Sequence, residues 1–334
     1  MSSTAPHKIL IADGRPEGGV GSFAEALRLG FTELGIPVES LPAAAILCRL
    51  GSLRDPGVLK ILSLGAVFGA PIARRSICVA HGFPCAQHQG WPRTLAILGA
   101  YKLATASPGA QLVVVSEYSA LHLRAIFGLR VDAVIHNPVH PVFLEATREA
   151  ATERVAITFV GRLHHAKNVH RLLPAIRNVL DENPGLRAWI VGDGPMRLAL
   201  ESIAGDDKRI EFLGALAPHH VRDRLRRSRV FVTANPAEHF GIVYLEALSQ
   251  GCAVAMPCSG GGLEIAPQLI GSGIHLFSAS LARDSIASAL RLALAAGDRR
   301  VPLEAYSPRA VAGTYLSADA RFSAEGTFHA EESQ

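Results

Sequence analysis

Arg229-Val230-Phe231-Val232-Thr233, then Ala234-Asn235-Pro236-Ala237-Glu238-His239-Phe240-Gly241, then Ile242-Val243-Tyr244-Leu245-Glu246-Ala247-Leu248-Ser249-Gln250-Gly251. The stretch passes from a short apolar run, read as a buried strand, through a polar loop into a helix stopped by Gly251, where a left-handed cap needs no Cβ. A strand feeding a helix through such a loop is the unit of parallel α/β sheets. Gly241 lets backbone come close to a ligand at the helix start, and Glu238 stands in the loop with two acceptor oxygens. Glu246 follows about two turns later, where it meets a different part of a long ligand. Carboxylates so placed suit vicinal diols; they also complement the positive end of a helix dipole, and for either glutamate alone that reading is the simpler one.

Outward from this junction, apolar runs alternate with helical patterns along the whole chain. Strands are expected at Lys8-Ala12, Val38-Leu41, Ser76-His81, Gln111-Ser116 and Ala133-Ile135 in the first half, with helices near Gly21-Leu34, Trp91-Ala106 and Glu117-Phe127. In the second half strands are expected near Ala156-Val160, Arg187-Val191, Ile210-Phe212, Arg229-Thr233, Ala253-Met256 and His275-Phe277, a complete doubly wound unit. The segment from Leu41 to Arg75 is poor in clear strands. A polar, alanine-rich run, Glu145 to Arg154, reads as a hinge, and the tail after Ala318 as mostly disordered. The domains expected are therefore residues 1–144, a hinge at 145–154, residues 155–300, and a C-terminal helix with its tail at 301–334.

The 334 residues are 49% apolar and 19% charged, a balance that fits two soluble globular domains and excludes a disordered chain. Ile61 to Ala73 is the longest uncharged apolar run, too short for a bilayer, and no signal-peptide pattern precedes the first strand, so a cytoplasmic protein is expected. Five cysteines form no C-x-x-C pair and suggest neither a metal site nor disulfides. Residues 1–144 carry 12 Lys/Arg against 8 Asp/Glu, whereas residues 145–334 carry 21 of each. The modest basic excess of the first half suits contact with an anionic membrane surface or a phosphate-bearing substrate, and is also ordinary for a soluble protein. Arg222, Arg224, Arg226, Arg227 and Arg229 spread around a helix without interleaved aromatics, which reads as a solvated face and not a nucleic-acid site.

Three further motifs lie at strand ends. Val160-Gly161-Arg162-Leu163-His164-His165-Ala166-Lys167-Asn168 leaves a strand, carries two cations and enters a helix that Asn168 would cap. Arg162 and Lys167 beside a helix N-terminus suit a diphosphate and would stabilise charge growing on a departing one; an exposed basic loop is the plainer alternative. Val79-Ala80-His81-Gly82 ends a strand with a histidine at the ligand edge, where it is either functional or a satisfied structural residue. Gly18-Gly19-Val20-Gly21 offers backbone N–H groups to a phosphate between the first strand and helix. The same glycines with Ala24 and Glu39 fit a dinucleotide fingerprint, the basis of a rival reading as an NAD-dependent oxidoreductase. Residues 13–17 make that loop too long for the fingerprint's tight turn.

Taken in order, Arg162-x4-Lys167-Asn168, Gly192-Asp193-Gly194-Pro195, Glu238-x-Phe240-Gly241 with Leu245-Glu246-Ala247, and Gly260-Gly261-x-x-Glu264 resemble the motifs of family 4 retaining glycosyltransferases, whose signature is E-x7-E. The resemblance covers about Val155 to Ala296; the first half is short for the family, and Ala234-Asn235-Pro236-Ala237 lacks the Pro-Ser common before the first glutamate. It implies two Rossmann-like doubly wound domains facing a cleft, the GT-B arrangement. It implies that Glu238, His81, Arg162 and Lys167 serve transfer. By the same resemblance Gly18, Gly19, Arg162, Lys167, Phe240, Gly241, Ile242 and Glu246 hold a nucleoside-diphosphate sugar, Glu246 at the ribose and Glu238 at the sugar. The implied acceptor is a glycan or lipid-linked precursor, met at the inner face of a membrane. No cofactor is expected, and with no Asp-x-Asp pair no metal either. A homologue that binds nucleotide-sugar without transferring it is the nearest alternative.

Overall fold

The computed structural model describes residues 5–13, 18–85, 90–145, 153–265, 267, 270–271, 273–296 and 303–331, with 18–20, 64–65 and 323–331 described in their backbone. The chain forms two compact units, one of residues Met1–Pro141 with Glu304–Gln334, the other Val142–Leu303. Each is built on a parallel six-stranded sheet with helices between the strands. The expected fold class, a pair of doubly wound α/β units, is the one observed. Most of the proposed hinge, residues 146–152, lies outside the described residues.

The first unit runs β1 (Lys8–Asp13), α1 (Gly18–Glu33), β2 (Val38–Pro42), a 3₁₀ segment (Ala43–Arg49), α2 (Leu50–Arg54), β3 (Val58–Ser63), a second 3₁₀ segment (Leu64–Gly69), β4 (Ser76–Ala80), α3 (Trp91–Ala106), β5 (Ala110–Val114), α4 (Glu117–Ala125) and β6 (Ala133–Val134). The strand order is β2-β1-β3-β4-β5-β6. All six residues of β3 are buried between β1 and β4, in the segment where the sequence shows no clear strand. Lys60 hides it: a lysine in mid-strand reads as a surface residue, yet this one is fully buried, its Nζ donating to the Asp55 carbonyl at 2.5 Å. Burial pulls the Lys60 pKa down to about 8, against the opposing pull of Asp55. Helix α1 starts at Gly18, so Gly18 and Gly19 form its first turn instead of a preceding loop. Ser116 caps α4 by accepting from the Ser119 N–H at 3.1 Å.

The second unit runs β7 (Ala156–Val160), a 3₁₀ turn (His165–Lys167), α5 (Val169–Glu182), β8 (Arg187–Val191), α6 (Arg197–Ala204), β9 (Ile210–Gly214), α7 (Pro218–Arg226), β10 (Ser228–Val232), α8 (Ile242–Ser249), β11 (Ala253–Pro257), a 3₁₀ turn (Gly261–Glu264), β12 (Ile274–Phe277) and α9 (Arg283–Ala295). Helix α5 shows the i, i+3, i+4 burial of an amphipathic helix, with Val169, Leu172, Leu173, Ile176, Val179 and Leu180 in the core beneath the sheet. The order is β12-β11-β10-β7-β8-β9.

The last element, α10 (Pro308–Glu331), returns to the first unit and packs on α1. It continues well past Ala318, where disorder was expected. Asp319 explains the difference: it is 2% exposed and accepts from Arg75 Nε at 2.9 Å and Nη2 at 2.5 Å, so the polar composition of the tail includes a buried ion pair. Gly30 of α1 is required by the same contact, since a Cβ there would lie 2.0 Å from the Pro308 carbonyl oxygen. Among the described residues no helix is long and apolar enough to cross a membrane.

Candidate active site

In the second unit the chain leaves β7 to one side, through β8 and β9, then returns to pair β10 with the opposite edge of β7 and continues to β11 and β12. The loops after β7 and β10 therefore diverge, and the crevice between them is the place where open α/β sheets bind ligands. Those two loops carry Arg162 to Asn168 and Asn235 to Glu238.

They are tied together by side chains. Lys167 Nζ donates to Glu238 Oε2 at 2.5 Å, and Asn235 Nδ2 donates to the same oxygen at 3.0 Å. Glu238 Oε1 makes no hydrogen bond among the described residues. The glutamate side chain is 18% exposed and the lysine 29%, so the pair is partly desolvated yet open to a ligand. Burial alone would push the Glu238 carboxyl up, but Lys167, then Asn235 and His239, outweigh it and hold the group below its ordinary range. Asn168 sits in the left-handed region at φ 50° and does not cap α5 with its side chain, as the sequence suggested. Its Nδ2 instead donates to the Ala234 carbonyl at 3.1 Å, a second tie between the loops. Arg162 is exposed at the mouth of the same loop.

Glycines buttress both loops. A Cβ at Gly192 would lie 2.0 Å from the Gly161 oxygen and one at Gly194 2.5 Å from the Leu163 oxygen, so the Gly-Asp-Gly turn is pressed against the β7 loop. On the other side Gly260, at φ 85°, could not carry a Cβ without meeting the Glu238 carbonyl oxygen at 2.9 Å, and Gly261 N–H donates to that oxygen at 2.7 Å. Gly241 is in the left-handed region at φ 84°, and its missing Cβ makes way for the Tyr244 ring. The Gly260-Gly261 segment thus holds the backbone of Glu238 from behind.

Glu246 lies on α8 and is 7% exposed. Burial raises its carboxyl pKa to about 8, and no hydrogen bond or ion pair of that carboxyl occurs among the described residues. Phe240 is 2% exposed, a core side chain, while Gly241 and Ile242 are half-buried. Sequence reasoning missed Asn235, the group that fixes Glu238. Its signal was present: an Asn before Pro, whose Oδ1 accepts from Ala237 N–H at 3.2 Å in a side-chain turn. The nearby arginines are engaged structurally, Arg224 and Arg227 over the Trp189 ring at 4.9 and 5.6 Å and Arg222 on Glu145 at 2.9 Å.

The remaining predicted residues belong to the first unit. His81 directly follows β4 and meets Phe23 edge-on, ring centres 4.7 Å apart. Gly18 and Gly19 open α1.

Comparison with known proteins bears on the same segment. Residues 154–295 match the family model described as glycosyl transferases group 1. The gpi3 subunit of phosphatidylinositol N-acetylglucosaminyltransferase from Schizosaccharomyces pombe is 30% identical over 149 residues, 43% of this chain and 33% of that relative. The chain spans less than half the length of the curated relatives it matches. Among solved structures, HepE of Anabaena in complex with UDP and glucose aligns over 98% of this chain and 99% of its own, at TM-score 0.67 and 16% identity. WaaG, a glycosyltransferase involved in lipopolysaccharide biosynthesis, aligns over 94% of both chains at TM-score 0.68 and 12% identity. These likenesses fix the fold, that of GT-B glycosyltransferases.

Proposed function

We propose that the protein is a retaining glycosyltransferase that moves a sugar from a nucleoside-diphosphate sugar to a glycan or lipid-linked acceptor, without a metal. The observation that carries the reading is the Lys167–Glu238 pair at the switch point, inside the segment that matches the family model. Lys167 has donors beyond the one given to Glu238, and with Arg162 it neutralises a diphosphate. Glu238 keeps Oε1 for a sugar hydroxyl while Lys167 and Asn235 fix Oε2, which makes it an orienting group. Glu246 accepts from the ribose hydroxyls. In the reaction the bond from the anomeric carbon to the phosphate oxygen breaks, a bond to the acceptor oxygen forms on the same face, and the acceptor proton passes to the departing diphosphate. Arg162 and Lys167 stabilise the charge that grows there. The same reading assigns His81 to the donor sugar and the α1 start at Gly18 and Gly19 to its phosphate. A lipid-linked acceptor is supported by the phosphatidylinositol in the name of the gpi3 relative and by the lipopolysaccharide role of WaaG. On this reading the enzyme works in the cytoplasm, at the inner face of a membrane.

Thermal unfolding with UDP, GDP, ADP and NAD, each with and without EDTA, tests the donor half of this reading. A ligand at 100 times its Kd adds about 2.7 kcal/mol to stability, a visible rise in midpoint. One nucleoside diphosphate should raise the midpoint equally in both conditions. A rise with NAD alone would transfer the protein to the oxidoreductases, and a rise abolished by EDTA would overturn metal independence.

A further inference from the structure

Helix α3 is apolar on the wrong side. Thr94, Ala100, Tyr101 and Ala104 face the core, yet Trp91 is 70% exposed, Leu95 61% and Leu103 43%. The helix sequence, Trp91 to Ala106, contains two charged residues, Arg93 and Lys102, both cationic and both exposed. The surface does not end at α3. The 3₁₀ segment Leu64–Gly69 packs against both α3 and the 3₁₀ segment Ala43–Arg49. From those elements Phe68 is 50% exposed, Leu47 53% and Leu50, at the start of α2, 46%. Half of the twelve large apolar side chains exposed among the described residues therefore stand on four adjoining elements of one unit.

The charge around them is mostly of one sign. From Arg49 to Ser116 the sequence holds seven Lys/Arg and a single acid, Asp55. Lys60 and Arg75 of the seven are turned inward, to the Asp55 carbonyl and to Asp319. Arg49, beside Leu47 and Leu50, is shared with Glu39 at 3.0 Å. Asp55 is half-buried and accepts from the Gly57 N–H at 2.8 Å. Exposed apolar side chains set among cations, with an indole at the helix start, match the chemistry of a bilayer interface. The indole and leucines enter the headgroup boundary while Lys102, on the same side of the helix, meets lipid phosphates and Arg93, at the exposed first turn, adds to the positive field. A protein partner complementary to this surface would need its own apolar patch ringed by acids, whereas an anionic bilayer offers both properties everywhere.

We propose that the outer face of α3, with Leu47, Leu50 and Phe68 beside it, docks the first unit onto an anionic lipid surface. The inference deepens the lipid-linked acceptor reading and rests on it for its purpose: a surface-bound enzyme meets its acceptor in two dimensions. The test is flotation of the whole chain with phosphatidylcholine vesicles, with and without phosphatidylglycerol, alongside calorimetric titration with the nucleoside diphosphate found above. The unaltered protein should float with the anionic vesicles and much less with the neutral ones. Arg93→Glu with Lys102→Glu should weaken that binding by about 30-fold or more, and Leu95→Glu with Leu103→Glu should abolish it, with nucleotide affinity unchanged in both. Failure to float, or flotation insensitive to both pairs of substitutions, overturns the proposal. So does a dimer that Leu95→Glu with Leu103→Glu converts to a monomer, which would make a second copy the occupant. Nucleotide binding without flotation would remove the docking face and leave the donor site standing. The charge-reversal pair touches only exposed side chains, so it remains informative if the leucine variant fails to fold.

Discussion

Both units carry six parallel strands, but they differ in where a close ion pair stands and what it holds. In the second unit the switch point lies between β7 and β10, and the carboxyl ends of those strands gather Arg162, Lys167, Asn235 and Glu238. In the first unit the switch point lies between β1 and β3, where, among the described residues, Ser63 donates to Asp13 at 3.2 Å. At the amino ends of that sheet stand Asp55 just before β3 and Arg75 just before β4, with Asp319 brought to Arg75 by α10. One pair, Lys167–Glu238, lines a crevice open to a ligand, and the other, Arg75–Asp319, holds the last helix. The architecture does not dictate this; the residues at the strand ends do.

The sharpest way to break the contrast is Glu238→Gln, which keeps size and removes the charge. Turnover should fall about 100-fold or more, as when a group positioned for the transition state is lost, with little change in melting. Retained turnover, followed as nucleoside diphosphate release, would reduce the Lys167–Glu238 pair to a structural tie like the one in the first unit. Asp319→Ala makes the converse test. Removing a nearly buried partner leaves the Arg75 guanidinium uncompensated and should cost about 3 kcal/mol, read by denaturant unfolding, while the nucleotide affinity of the second unit stays as it was. A parallel loss of affinity would mean that the two units are energetically coupled.

Lys167→Ala should weaken nucleoside diphosphate binding about 10- to 100-fold in a calorimetric titration, the range for losing a hydrogen bond to a charged group. It also changes the acid limb of stability. In the unaltered protein the Glu238 carboxyl titrates below its usual 4.5, so its contribution is present above that pH and lost as the pH falls through the lowered value. Without Lys167 that limb should flatten; an unchanged limb would show that another group sets it. The smallest effect is expected at Glu246. With a folded pKa of about 8 against an ordinary 4.5, it binds a proton in the folded state that the unfolded chain releases, so stability falls as the pH rises between those values. Glu246→Gln should remove this slope. If ribose hydroxyls donate to the ionised carboxylate, nucleotide binding releases a proton, which calorimetry in two buffers of different ionisation enthalpy detects and the Gln variant abolishes.

The second unit was legible because each strand is a clean apolar run and each motif follows its strand directly. All six expected strands are found, displaced at their ends by at most two residues. The first unit was less so because its central strand, Val58-Leu59-Lys60-Ile61-Leu62-Ser63, interrupts its apolar run with a lysine, and nothing local tells that Asp55 will hold that ammonium by its carbonyl. Asp319 was unreadable for the same reason, since its partner Arg75 lies 244 residues away. Within the site, sequence pointed to Glu238 and Lys167 separately. Their contact requires knowing that β7 and β10 are neighbours, which strand order alone decides. Asn168 misled because a cap and a left-handed corner favour the same residue type.

The return of Pro308–Glu331 to the first unit sets the timing of assembly on the ribosome. Residues 142–303 emerge as an uninterrupted block and can fold as soon as they clear the exit tunnel, whereas the earlier-made residues 1–141 wait for their closing helix until translation has passed the whole of the second unit. During that interval α1 lacks the cover of α10 and Arg75 lacks Asp319. The half synthesised first is therefore the half completed last, and it is the one that a nascent-chain chaperone would have to shield.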